Sequence, residues 1–204
     1  MINVDYNMIY HTKNYGDYKI IDNLGYINND SRLWVRIKFL STGYEKNIRF
    51  DYITHDILDP YYPRIYNVAC IGELSVNRSI YKPDYDRWIS MISRCYNPLD
   101  KDYKRYGLKG IKVSDSWLIF ANYFNDIKLL PGYRYKQQEP NNYQLDKDYL
   151  QQNEKCKVYS PDTCIWATNT INSKLSTNAF NGEIDYVDKN GNIKMINMVN
   201  IVNK

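Results

Sequence analysis

Chemistry in this 204-residue chain has to come from few side-chain types. Two histidines are present, His11 and His55, both in the first third. Four cysteines, Cys70, Cys95, Cys156 and Cys164, include no CxxC pair, and seven residues separate the last two. Structural zinc takes closely spaced ligand pairs, so zinc is not expected and buried, inert thiols are. Cations are more plentiful. Residues 77–112 carry nine Lys and Arg against four acids, with Lys104, Arg105, Lys109 and Lys112 grouped around Tyr106-Gly107. On such a connection they either hold DNA phosphates, positioning a duplex without reading it, or simply face water. A second basic row, Arg32, Trp34, Arg36 and Lys38, with Arg49 beyond it, offers the same two readings.

The elements that position these residues follow from periodicity. Residues 32–40 alternate, with Leu33, Val35, Ile37 and Phe39 on one face and the basic row on the other. Ser41-Thr42-Gly43 turns the chain and residues 47–53 alternate again, which predicts a half-buried antiparallel meander. Asp59-Pro60-Tyr61-Tyr62-Pro63 breaks the pattern, and residues 66–71 read as a further strand ending at Gly72. From Asp84 the period becomes helical through Tyr85, Trp88, Ile89, Ile92 and Cys95, until Asn97-Pro98 stops it. A short strand over 110–113 precedes a second helix, capped by Ser114 or Asp115, with Trp117, Phe120, Phe124 and Ile127 as its buried stripe. Pro131-Gly132 ends it, and residues 136–142 read as an exposed polar loop. Asn190-Gly191, between apolar runs at 184–187 and 193–198, signals a hairpin.

Composition excludes whole classes. A 44% hydrophobic and 25% charged chain is neither a disordered tail nor a fibre. The longest apolar run, residues 117–121, is five long against the ~18 a membrane span needs, so no membrane partner is expected. Residues 1–10 lack the basic-then-apolar pattern of a secretion signal, and reduced thiols in a cytoplasm are the expectation. The 22 tyrosines and 24 asparagines carry no functional weight, because A/T-rich codons produce the same bias. Charge is uneven. Of the net +4, residues 1–75 hold −1, residues 76–140 hold +5 and residues 141–204 hold zero.

A long motif runs through the middle: Trp88, Met91, Arg94-Cys95-Tyr96-Asn97-Pro98, Tyr103, Tyr106-Gly107, Gly110-Ile111, Val113, Trp117, Phe120 and Phe124. Leu145-Asp146-Lys147 follows, then Tyr159-Ser160-Pro161-Asp162-Thr163-Cys164-Ile165-Trp166-Ala167-Thr168, then Asn172. Over about residues 85–172 this set resembles phage and bacterial proteins related to HNH homing endonucleases. Their middle block is compared with the plant apetala-type DNA-binding fold, a small sheet on one helix. Periodicity and the resemblance together lead to the expectation of an α+β chain in three parts. Residues 1–75 would form an antiparallel β unit and residues 76–140 a basic sheet-plus-helix DNA-binding-like block. Residues 141–204 would form a small ββα, HNH-like module ending in the hairpin.

The same resemblance implies a site. In HNH enzymes an Asp binds one divalent metal, the next residue, His, takes a proton from water, and an Asn orients that His. Carried over, Asp146 is the metal-binding Asp, and Asn172, six residues past Trp166, completes the metal site. Lys147 stands at the base position, with Asp148 beside it, and Thr163 stands at the orienting position. Carboxylate and amide oxygens suit a hard cation, so Mg²⁺ or Mn²⁺ is the ion implied. A lysine is ordinarily protonated at pH 7 and does not replace the base. The expected function is a phage-type protein that binds double-stranded DNA and carries a degenerate nuclease site, in the host cytoplasm. An active metal-dependent nicking enzyme, and a non-enzymatic virion-associated or interaction protein, are the alternatives. A protein partner or homodimer is compatible with each.

Overall fold

The computed structural model describes residues 4–27, 31–151, 154–169, 183–187 and 193–197, and the chain divides into two compact units, Met1–Glu73 and Leu74–Lys204. It is a mixed α+β protein.

The first unit is built on β1 (Ile9–His11), β2 (Asp17–Gly25), β3 (Trp34–Phe39) and β4 (Glu45–Arg49), an antiparallel sheet in that order. Alternation along β3 decides its faces. Val35, Ile37 and Phe39 are fully buried, and Trp34, Arg36 and Lys38 lie on the half-exposed face. Each buried side chain contributes roughly 1.5–3 kcal/mol through the water it sheds. The core gathers Tyr18 and Ile20 of β2, the β3 residues, Ile48 of β4 and Ile57. Cross-strand register sets Trp34 opposite Arg49, Arg36 opposite Asn47 and Lys38 opposite Glu45.

Three expectations for this unit need correction. Arg32 precedes β3 rather than lying in it. The second strand ends at Arg49, and Phe50–Tyr52 coils into one 3₁₀ turn. Residues 66–71 form no strand: Tyr66 and Asn67 adopt φ of 50° and 57°, folding Ile65 back to bridge Ala69. Periodicity misses such a turn because left-handed backbone, not side-chain polarity, creates it.

The second unit packs α1 (Arg78–Tyr96) and α2 (Phe120–Asp126) around three fully buried tryptophans. Each indole N–H finds a carbonyl or carboxylate: Trp88 donates to Trp117 O at 2.7 Å, Trp117 to Asp126 Oδ2 at 2.9 Å and Trp166 to Ile127 O at 2.8 Å. That satisfies the one polar atom each large ring brings inside. The expected stripe of Trp117, Phe120, Phe124 and Ile127 is buried, but not on one helix capped by Ser114 or Asp115. Asp115–Leu118 is a separate 3₁₀ turn, Ile119 is extended, and only then does α2 begin.

α1 begins six residues before Asp84 and runs through Pro83. Proline removes one bond to the Ser79 carbonyl, but Ser79 is exposed and water can take it. Tyr81 anchors that extra turn, its ring 5.5 Å from that of Phe120. Residues 133–138, partly within the expected loop, form α3 (Tyr133–Gln138), with Tyr133 against Trp166.

β5 (Lys112–Val113) pairs in parallel with β7 (Val158–Tyr159), and β6 (Tyr143–Asp146) pairs antiparallel with β8 (Ile165–Thr168). Residues 76–140 therefore hold no sheet of their own among the described residues, since the partner of β5 comes from beyond residue 140. The helix of an HNH-like ββα module would follow β8, where Asn169 is helical and is the last residue described before residue 183. β9 (Glu183–Val187) and β10 (Ile193–Asn197) pair antiparallel, while the Asn190-Gly191 turn lies outside the described residues.

Candidate functional site

Asp146 closes β6, buried beside Ile165 of β8. Its Oδ1 accepts the backbone N–H of Asp148 at 3.0 Å and of Tyr149 at 2.8 Å, capping the 3₁₀ turn Tyr149–Gln151. Burial pushes this carboxyl above its ordinary value, against the pull of those two N–H donors. Gln151 locks the same corner: its amide donates to Lys147 O and Val158 O and accepts from Val158 N–H, at 2.7, 2.8 and 2.9 Å.

Lys147 is buried, its side chain 5% exposed. Its Nζ donates to both oxygens of Asp148 at 2.9 Å and lies 5.1 and 5.3 Å from the rings of Tyr106 and Tyr159. The Arg94 guanidinium addresses the same two rings, at 4.7 and 5.3 Å. Lys157 Nζ reaches Asp148 Oδ1 at 2.7 Å. Burial alone would raise the Asp148 carboxyl, but the two lysines outweigh it and hold it below the ordinary range.

Tyr106, Lys147, Asp148 and Lys157 line a cleft of about 370 Å³ with Arg105, Lys109, Ile111 and Lys155. Five cationic side chains and one carboxylate surround it. Arg105 is also paired with Asp102. Lys109 and Lys155 are exposed and have no acidic partner among the described residues. The structure thus joins two sets that the sequence presents separately: Arg105 and Lys109 from the basic connection, Lys147 and Asp148 from the expected nuclease motif. Lys104 and Lys112 are exposed and do not line the cleft.

Thr163 is committed elsewhere. Its hydroxyl donates to Val158 O at 2.7 Å and accepts the Ser160 N–H at 3.1 Å, knitting the turn that leads into β8. Asn172 lies outside the described residues. Arg32, Trp34, Arg36 and Lys38 belong to the first unit, where Arg36 Nε donates to Asn47 at 3.3 Å and Lys38 pairs with Glu45 at 3.0 Å. Cys70, Cys95 and Cys164 are buried and Cys156 is exposed; burial raises the Cys95 thiol to about 11 and the Cys164 thiol to about 12.

A divalent cation would meet competition at Asp146 and Asp148 as they stand. One Asp146 oxygen is committed to two N–H donors, and both Asp148 oxygens are committed to ammonium groups that an incoming cation would have to displace. Among the described residues no group of three His, Cys, Asp or Glu is placed to hold a metal ion.

Lys155 and Lys157 are the cleft residues that sequence reasoning missed. Lys155-Cys156-Lys157 places two lysines at i and i+2, on one side of an extended chain. That signal is present but is eclipsed by the cysteine between them. Among the described residues no helix is long and apolar enough to cross a membrane. No protein family, curated protein or solved structure matches this chain.

Proposed function

We propose that the chain is a phage-type protein that binds double-stranded DNA, holding backbone phosphates at the basic cleft of its second unit. The carrying observation is the convergence of Arg105, Lys109, Lys147, Lys155 and Lys157 on one 370 Å³ concavity containing a single carboxylate. Cations so grouped release counterions from DNA and bind its backbone independently of sequence. The reading extends to ancestry: the Asp146 corner descends from an HNH nuclease site and no longer hydrolyses DNA. Two facts support that extension. Asp146 ends the first strand of an antiparallel pair, as the resemblance requires, and the residue in the base position is a lysine locked to Asp148.

Fluorescence anisotropy of labelled duplexes over a salt series tests binding. Lys109→Ala with Lys155→Ala should weaken all sequences alike and flatten the log–log salt slope by about 0.9 for each phosphate no longer neutralised. Binding equal to the unmodified chain at every salt concentration would make the cleft an ordinary wet surface. Supercoiled plasmid with Mg²⁺ or Mn²⁺, with and without chelator, tests the second half. Negligible nicking is expected; efficient nicking at neutral pH that Asp146→Ala abolishes would make the protein an enzyme.

A further inference from the structure

The first unit carries a second concavity, of about 560 Å³, whose chemistry differs from that of the cleft. Lys46 through Arg49 of β4 run along it, and β4 ends the strand order of its sheet. Aromatic faces and cations alternate around it: Trp34 and Arg49 are cross-strand partners, and the Arg49 guanidinium lies 4.0 Å over the Tyr52 ring. The His55 ring lies 4.8 Å from that of Tyr52, tilted by 32°. Arg32 and Lys46 complete the cationic lining. The one carboxylate that lines it, Asp56, is already bound by Asn14, at 2.6 Å from the amide and 3.3 Å from the backbone N–H. Asp51, outside the lining, pairs with Arg49 Nε at 3.2 Å and holds that guanidinium in place.

We propose that this concavity binds a nucleotide whose base is unpaired. Flat rings beside fixed cations suit a ligand that is aromatic at one end and anionic at the other. A base stacks on Trp34, Tyr52 or His55 without regard to its identity, and its phosphate meets Arg32, Lys46 and Arg49. The volume falls in the range of small-ligand sites, ~300–1,000 Å³. An edge strand also presents a row of backbone N–H and C=O groups outside the ladder, which can meet the polar rim of a base. A base inside a duplex is stacked and cannot enter. The inference uses no residue of the cleft in the second unit and stands apart from duplex binding there.

The chain carries its own reporter. Of its four tryptophans, Trp88, Trp117 and Trp166 are 0% exposed, so an added ligand can reach only Trp34. The full chain is titrated with thymidine monophosphate, with a short oligothymidylate, and with ribose 5-phosphate as a base-free control. Saturable quenching of tryptophan emission by the two base-bearing ligands, and none by the sugar phosphate, is expected. Tight binding of the monophosphate assigns the site to free nucleotides, whereas much tighter binding of the oligonucleotide assigns it to single strands.

Tyr52 is 43% exposed, so Tyr52→Leu should fold and weaken binding about 10-fold, the loss expected of one stacking face. If its melting temperature falls, His55→Ala, on an exposed residue, carries the same comparison. Anisotropy of labelled oligothymidylate repeats the measurement without tryptophan. Absence of quenching by both base-bearing ligands overturns the proposal. So does quenching by duplex alone, or unchanged affinity in folded Tyr52→Leu and His55→Ala.

Discussion

At Asp146 a single carboxylate oxygen gathers two backbone N–H groups, and an amide oxygen can do the same. Asp146→Asn should therefore keep the corner, whereas Asp146→Ala should cost about 1–2 kcal/mol, as a lost cap does. The sign with pH follows from burial. An acid whose folded value is raised contributes stability that is full below its unfolded value of 3.8 and is lost as pH rises through the raised value, so Asp146→Asn should be at least as stable as the native chain at pH 7. Asp148 behaves oppositely. Held low by Lys157 and Lys147, it stabilises above pH 3.8, and that contribution is lost as pH falls through its depressed value. Urea melts of Asp148→Asn should show a deficit of roughly 0.5–1.5 kcal/mol near pH 7, discounted for its half-exposed side chain, which closes below pH 4. A deficit independent of pH would remove the ion pair as its cause. Sequence alone makes Lys147 conspicuous as a lysine in a histidine's place. It does not show that the next residue neutralises it, because adjacent residues need not face one another.

At the scale of elements, the join between α2 and α3 rests on Gly132. Its φ is +84°, and a Cβ there would collide with the backbone carbonyl of Trp166. Both faults act together in Gly132→Ala, and a loss of about 2–4 kcal/mol is expected in thermal or urea melts. A change under about 1 kcal/mol would mean the loop rearranges freely. The helices of this unit are legible where apolar residues recur, as along Trp88, Ile92 and Cys95 or Phe120 and Phe124, though the same period runs back to Trp117 across a break at Ile119 that it does not reveal. α3 is not. Tyr-Arg-Tyr-Lys-Gln-Gln offers no apolar period, and its helix is fixed by contacts of Tyr133 and Lys136 with the Trp166 ring. The parallel pairing of β5 with β7 is invisible for a related reason: two strands of two residues, more than forty apart, leave no pattern to read.

Across the whole molecule the cysteines form a built-in set of probes. Cys70 is buried in the first unit, Cys95 and Cys164 in the second, and Cys156 is exposed. A thiol-specific chromogenic reagent should titrate one thiol rapidly in the native chain and the other three only as denaturant is added. Because the buried thiols sit in different units, their release also reports whether the units unfold together. More than one fast thiol in the native chain would contradict the burial of Cys70, Cys95 or Cys164. The charge asymmetry of the middle third points towards a basic surface, yet three of the five cations of the cleft lie beyond residue 140. Sums along a sequence locate charge in the chain, and only folding locates it in space.

The pairing of Lys147 and Lys157 with Asp148 has a consequence for motion. The deep end of the cleft is partly neutralised, one carboxylate against two ammonium groups, while Lys109 and Lys155 leave its mouth fully positive. A polyanion resting on such a mouth meets an attraction that barely changes as one phosphate replaces the next. Its barrier to lateral displacement is small compared with that to complete release. Under the duplex binding proposed above, the protein would travel along DNA in one dimension, with short dwell times at each step, rather than clamp at one position.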